Sequence, residues 1–208
     1  MVPQADPLNV MIAGVGGQGN LLASRLIGTM LVAKGFKVTI GETLGATQRG
    51  GAVHSFLRIS KKKNYSPQFP GGSAHIIIGL EPVEALRNMG PHGSPETVAV
   101  VNVRPIKPIG VMSGNLDYPE IEDLKQVLKE ITKRVFFIDA TEKALELGKP
   151  VFTNMVMIGG LVGLGVLPLD INDFQTAFVG LTKGSDLELN LEAFQYGEGV
   201  VRQQSSLE

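Results

Sequence analysis

The chain has 208 residues, 43% of them hydrophobic, enough to fill one core or one core with an appendage. Lysine plus arginine number 19 against 20 aspartates plus glutamates, a net charge of −1, which argues against a nucleic-acid binder with its usual basic excess. Cysteine is absent, so the chain forms no disulfide, carries no thiolate nucleophile and ligates no iron–sulfur cluster through cysteine.

No secretory signal is expected, because Met1 to Asp6 holds no apolar core. The longest apolar stretch, Met155 to Leu169, is broken by glycines and is shorter than the roughly 20 residues of a membrane span. A soluble cytoplasmic protein is the expectation.

The first strand is predicted over residues 9–13, and Val10 to Ala13 runs directly into Gly14-Val15-Gly16-Gly17-Gln18-Gly19. A helix over about 18–34 follows, with Gly35 placed to stop it. Strand, tight turn and helix start suit an anion, because the helix N-terminus offers unpaired N–H groups and a partial positive charge. The same spacing serves nicotinamide dinucleotides, flavins and coenzyme A. Lys37 to Ile40 reads as a second strand, paired in parallel with the first through a βαβ crossover. Glu42 lies where a dinucleotide fold holds a ribose-binding acid, and equally where a solvated loop acid would stand.

The loop Leu44 to Val53 is rich in glycine and carries one isolated arginine, Arg49, suited to an anion or a partner carboxylate. The strand Val53 to Ile59 alternates, but neither face is cleanly polar. Lys61 to Lys63 reads as a solvated turn. Ala74 to Leu80 and Thr97 to Asn102 are continuous apolar runs, the mark of buried parallel strands. Glu81 stands at the end of the first, where it caps a helix opening at Pro82 or faces a site.

Val103 to Asn115 is a long connection with two prolines. Asp117 to Glu120 reads as a cap for a helix with Ile121, Leu124, Val127, Leu128 and Ile131 on one face. Val135 to Asp139 is the next strand and Thr141 to Gly148 a short helix with its stop. Thr153 to Leu167 is apolar nearly all round, so it predicts a helix buried on all sides, by its own domain or by a partner, ended by Pro168, with small residues that admit a second helix. Asp170 or Asn172 caps another helix, stopped by Gly184, and a last one spans about 186–203.

The chemistry is sparse. His54, His75 and His92 show no metal-ligand spacing, and His75 reads as a hydrogen-bonded core residue. There is no Gly-x-Ser-x-Gly elbow. The chain is built like an α/β enzyme and lacks a visible catalytic set: no catalytic residue and no metal ligand is assigned.

Four blocks in order carry a resemblance. Gly14 to Gly19, Gln48-Arg49-Gly50-Gly51, Ala74 to Pro82 and Asn154 to Gly159 resemble the gamma-type component of 2-oxoacid:ferredoxin oxidoreductases, over about residues 8–182. The form Thr47-Gln48-Arg49-Gly50-Gly51 is most similar to the indolepyruvate:ferredoxin oxidoreductase beta subunit. The pyruvate and 2-oxoglutarate branches more often show a Gly-Pro-Glu lead-in, which this chain lacks.

The resemblance implies a Rossmann-like α/β fold: an open, mostly parallel sheet with helices on both faces. It implies one domain over 1–208, a core of about 8–182 and a C-terminal helix. It implies a non-catalytic but required subunit in oxidative decarboxylation of a 2-oxoacid. Thiamine diphosphate and iron–sulfur clusters sit on the partner subunit, coenzyme A takes the acyl group and ferredoxin the electrons. The assembly is a hetero-oligomer without nucleic acid or membrane, and the isolated chain is free to homodimerise. Gly14, Gly16, Gly17, Gln18 and Gly19 become the anion-cradling turn. Thr47, Gln48, Arg49, Gly50 and Gly51 become the loop facing the active centre or the coenzyme A path. Two alternatives stand beside this reading: an autonomous nicotinamide- or flavin-dependent oxidoreductase, motivated by Glu42, and a nucleotide- or coenzyme A-binding assembly module.

Overall fold

Strand β1, Leu8–Val15, runs through the interior of a six-stranded sheet with all eight residues buried. A computed structural model describes residues 5–43, 51–107, 111, 113–115, 117–182 and 186–207. The other strands are β2 (Lys37–Thr43), β3 (Ala52–Ser60), β4 (Ile76–Gly79), β5 (Val98–Asn102) and β6 (Arg134–Ile138). Their order is β2-β3-β1-β4-β5-β6. The pairings β1–β4, β4–β5 and β5–β6 are parallel, and β3 is antiparallel to both β1 and β2.

The helices are α1 (Asn20–Ala33), α2 (Pro82–His92), α3 (Ile121–Ile131), α4 (Ala140–Glu146), α5 (Thr153–Gly163), α6 (Ile171–Thr182) and α7 (Leu187–Ser205). They cover both faces. Val10 and Ile12 of β1 join one apolar cluster with side chains of α1, α4, α5, α6 and α7, while Met11 joins a second with α2 and α3. This is the two-residue alternation of a strand buried on both sides.

The expected direct pairing of β1 with β2 is corrected: β3 lies between them. Its composition explains this. Leu57 and Ile59 enter one cluster and Phe56 the other, so β3 needs cover on both faces. No residue of β2 is fully buried, which suits the sheet edge.

α1 ends at Gly35 as expected, where Phe36 N donates to Leu31 O (3.0 Å) and Gly35 N to Val32 O (2.9 Å), a Schellman closure. The stop at Pro168 is corrected. α5 ends at Gly163, and Gly165 turns the chain with φ +67° before the proline is reached. The capping pattern before α3 is also corrected: Glu120 is the N-cap, without a side-chain bond. Of the expected stripe on α3 only Leu124 and Leu128 are buried. Asp170 Oδ1 caps α6 by accepting from Asn172 N (2.8 Å) and Asp173 N (3.1 Å). The expected stop at Gly184 lies outside the described residues.

All eleven residues of α5 are buried, and this chain itself covers them. The second helix that small residues admit is α7. A Cβ on Gly159 would stand 1.9 Å from Phe194 O, and one on Gly197 would stand 1.8 Å from Val156 O. The two backbones therefore touch, which no side chain at these positions would permit. Phe174 of α6 stacks on Phe194 beside the contact, ring centroids 4.6 Å apart.

Candidate functional site

The parallel strands end beside the glycine turn, the place where open α/β sheets carry their sites. Val15 closes β1, and α1 begins at Asn20 behind Gly19, a left-handed N-cap with φ +82°. Gly17 is also left-handed, φ +98°, and a Cβ there would meet nothing within 4 Å. Its requirement is backbone conformation, with open space outside. Gly14 is needed for space: a Cβ would fall 2.7 Å from Gln18 Oε1.

The side chain of Gln18 locks the turn. Its Oε1 accepts from Val15 N (2.7 Å) and its Nε2 donates to Leu80 O (2.9 Å). Gly16 N donates to Gly51 O (2.8 Å). Asn154, in the first turn of α5, donates from Nδ2 to Gln18 O (2.7 Å). All four sequence blocks thus meet here, through Gly16 and Gln18, Gly51, Leu80 and Asn154. Asn102 backs the arrangement: buried, it donates to Leu80 O (3.0 Å) and accepts from Ala140 N (3.2 Å) at the start of α4.

The starts of α1 and α5 converge, the second led into by a 3-10 turn, Pro150–Phe152, in which Phe152 N donates to Lys149 O (3.1 Å). Neither α1 nor α5 has a side-chain cap, and neither has an acidic residue in its first turn. A groove of about 270 Å³ lies over them, lined by Gly17, Gln18, Gly19, Ile106, Val151 and Thr153 among others. Among the described residues its lining carries no charged side chain, so the partial positive charge of the α1 N-terminus acts there without a competing carboxylate. Ile106 and Val151 stand at its rim, 37% and 51% exposed. A larger cavity of about 470 Å³ lies away from the turn, at the amino end of β1 around Leu8, Phe36 and Lys61.

Ile106 also borders a second, smaller cavity whose character is opposite. Glu81 is buried there: Oε2 accepts from Glu84 N (2.8 Å), capping α2, and Oε1 accepts from Tyr118 Oη and Ile106 N (3.4 Å). Glu84, also buried, pairs through Oε1 with Arg87 (2.6 Å). Burial lifts the Glu84 carboxyl above the ordinary range; Arg87 opposes this and the charge of Glu81 adds to it. Burial, then the bond to Glu81, pushes the Tyr118 phenol upward as well.

Of the predicted site residues, Gly14, Gly16, Gly17, Gln18, Gly19 and Gly51 form one connected turn. Thr47, Gln48, Arg49 and Gly50 lie outside the described residues. Glu42 belongs to β2, and its Oε1 accepts from Ser24 Oγ (3.0 Å) on α1. His75 Nδ1 accepts from Asn9 N (2.9 Å) as expected, but the residue is half-buried just before β4 rather than in the core. His54 and His92 come within 6.0 Å of each other, centroid to centroid, among Phe56 and Phe69. No group of three or more metal-ligating side chains occurs among the described residues. Asn102 and Tyr118 escaped sequence reasoning. A polar residue closing a continuous apolar strand was the available signal for Asn102; Tyr118 offered none.

The family described as pyruvate ferredoxin/flavodoxin oxidoreductase matches residues 9–199 of the chain. The indolepyruvate oxidoreductase subunit IorB of Archaeoglobus fulgidus is 36% identical over 190 residues, covering 91% of this chain and 93% of that one. The fold is shared with a 2-oxoglutarate:ferredoxin oxidoreductase from Magnetococcus marinus, solved with 2-oxoglutarate, coenzyme A and succinyl-CoA bound. That match has a TM-score of 0.72 and 21% identity, and covers 96% of this chain but 32% of the longer one. A keto/oxoacid ferredoxin oxidoreductase gamma subunit from Geobacter sulfurreducens matches with a TM-score of 0.65 and 19% identity, over 93% of this chain and 98% of that one.

Proposed function

The chain belongs to the pyruvate ferredoxin/flavodoxin oxidoreductase family, and from that premise we propose that it is the non-catalytic, gamma-type subunit of an indolepyruvate-class 2-oxoacid:ferredoxin oxidoreductase. It works within a cytoplasmic hetero-oligomer. The partner subunit holds thiamine diphosphate and the iron–sulfur clusters, which a chain without cysteine has no thiolates to ligate. No helix among the described residues is long and apolar enough to cross a membrane.

Coenzyme A, when bound, supplies the thiol that accepts the acyl group. This chain's share is to hold its anionic part. The groove is suited to doing so, since the uncapped N-terminus of α1 attracts phosphate and the open side of Gly17 lets backbone N–H groups approach it. At about 270 Å³ it falls below the roughly 300–1,000 Å³ of a complete small-molecule site, so it takes a segment of the coenzyme and the partner closes the rest. Ile106 and Val151, both more than a third exposed, give the rim an apolar surface for that contact. Gly14, Gly16, Gly17, Gln18 and Gly19 build the cradle. Thr47, Gln48, Arg49, Gly50 and Gly51 form the loop toward the active centre, tied to the cradle through Gly51. The observation that carries the reading is the meeting of four separated sequence blocks at one turn.

Reconstitution tests it. The chain alone should be inactive. With its partner, an arylpyruvate, coenzyme A and ferredoxin or a dye acceptor it should yield acyl-CoA. Val151→Glu should raise the KM for coenzyme A about tenfold, and Val151→Lys should not, since a charge at the rim acts on the anion through an intermediate dielectric. An isolated chain that decarboxylates arylpyruvate unaided, or a partner equally active without it, overturns the proposal.

A further inference from the structure

The cavity at the amino end of β1 holds about 470 Å³, within the roughly 300–1,000 Å³ of a small-molecule site. Its floor is the cross-strand pair Leu8 and Ile59, both buried. Its walls are Phe36, between α1 and β2, and Val166, Leu167 and Pro168, in the connection from α5 to α6. Among the described residues its lining carries two charged side chains, Lys61 and Asp6. Lys61 is turned toward it. The residue stands two positions past Ile59 at the end of β3, the spacing that returns a side chain to the same face of a strand. Its Nζ lies 5.2 Å from the centroid of the Phe36 ring, itself part of the wall.

That ammonium has no carboxylate in ion-pairing range among the described residues, Asp6 included. Nor do its neighbours Lys62 and Lys37, the second of which donates from Nζ to Lys62 O (3.0 Å). Three unneutralised lysines thus stand together against the single carboxylate of Asp6, a local positive excess on a chain whose net charge is −1. We propose that this cavity binds a small monocarboxylate with an apolar body. The carboxylate pairs with Lys61 Nζ, and the body lies on Leu8, Ile59 and Phe36. The lining sets this class: one ammonium balances one negative charge, and hydrocarbon walls suit a body that leaves water on binding. The inference does not rest on the coenzyme A reading, because the groove lies past the carboxyl end of β1 and this cavity at its amino end.

The probe is 3-phenylpropionate, with 3-phenylpropanamide as its uncharged counterpart and 3-phenylpropylamine as its cationic one. Titrated into the full chain and followed by amide chemical shifts, 3-phenylpropionate should give saturable shifts at Leu8, Ile59, Lys61 and Val166, and none at Gly17 or Gly19. The amide and the amine should bind about tenfold more weakly or not at all. Lys61→Met, a change at an exposed side chain that leaves the fold intact, should weaken binding of the carboxylate about tenfold or more. Asp6→Asn should hold or tighten it, since it removes the one like charge in the lining. Val166→Phe should block the cavity while Lys61 stays in place. Absence of saturable shifts, saturation at the glycine turn instead, equal binding of the amide or the amine, or binding indifferent to Lys61→Met overturns the proposal.

Discussion

The carboxamide of Asn154 donates to the main-chain carbonyl of Gln18 over 2.7 Å, joining positions 136 apart in sequence. The bond fixes α5 against the glycine turn, and it sets the angle between two helix N-termini that both face the groove. Asn154 is 1% exposed, and its Oδ1 has no partner among the described residues, so the residue is held by its donor side. A polar side chain so placed in an otherwise apolar helix acts as a clamp for the turn rather than as packing.

Gly19 and Asn154 should therefore couple. A Cβ on Gly19 would stand 2.4 Å from Asn154 Nδ2 on a backbone at φ +82°. Gly19→Ala should cost about 2–4 kcal/mol from crowding and left-handed strain together. Asn154→Ala should cost about 1–3 kcal/mol for the lost donor. With Asn154 already truncated the crowding vanishes, so the double variant should fall short of the sum by at least about 0.5 kcal/mol in denaturant melts. Strict additivity would show that the two side chains do not meet.

Helix α7 provides an internal contrast. A Cβ on Gly197 would strike Val156 O at 1.8 Å, whereas one on Gly199 would meet nothing within 4 Å. Gly197→Ala should lower stability by about 3 kcal/mol or more, because backbone cannot yield as a side chain can. Gly199→Ala should raise it by about 0.5–1 kcal/mol through helix propensity. Thermal melts of the two variants should shift in opposite directions.

What could be read from sequence divides along these lines. The turn at Gly14 to Gly19 was legible because positive φ and close approach restrict residue choice locally. The burial of α5 was legible because its apolar residues leave no solvent face. Strand order was not: β3 inserts between β1 and β2 through pairings that no local periodicity encodes. Glu81 was half legible. Its cap on Glu84 N follows from spacing of three residues, but its partner Tyr118 comes from 37 positions away. Asn154 was visible only as part of a block, since its bond to Gln18 exists only after α5 has docked.

The histidine pair predicts an acid-side loss of stability. Burial lowers His54, with the charge of His92 adding to the effect, and burial lowers His92. Each therefore binds a proton less readily folded than unfolded. Their contribution is complete above the ordinary value of 6.5 and is lost as pH falls through the lowered folded values. Replacing His92 with Phe, beside Phe56 and Phe69, should flatten the dependence of the unfolding midpoint below about pH 6.5. An unchanged slope would mean that His92 does not titrate differently on folding.

Tyr118 predicts an effect at the other end of the scale. Its phenol donates to Glu81 Oε1, and burial together with that carboxylate pushes its ionisation above the ordinary value of 10.0. Folded Tyr118 thus keeps its proton where the unfolded chain releases it. The stabilisation is fully present below about pH 10 and is lost as pH rises toward the raised folded value. Tyr118→Phe should cost about 1–3 kcal/mol near neutrality, because Glu81 Oε1 is left with the long contact from Ile106 N. The same variant should lose less stability than the parent between neutrality and strongly alkaline pH. Phenolate absorbance supplies the second measurement: below about pH 11 the titrations of parent and variant should superimpose, since the missing tyrosine was not ionising there. A phenolate signal that shrinks by one group in the variant over that range would show that Tyr118 is not held by Glu81.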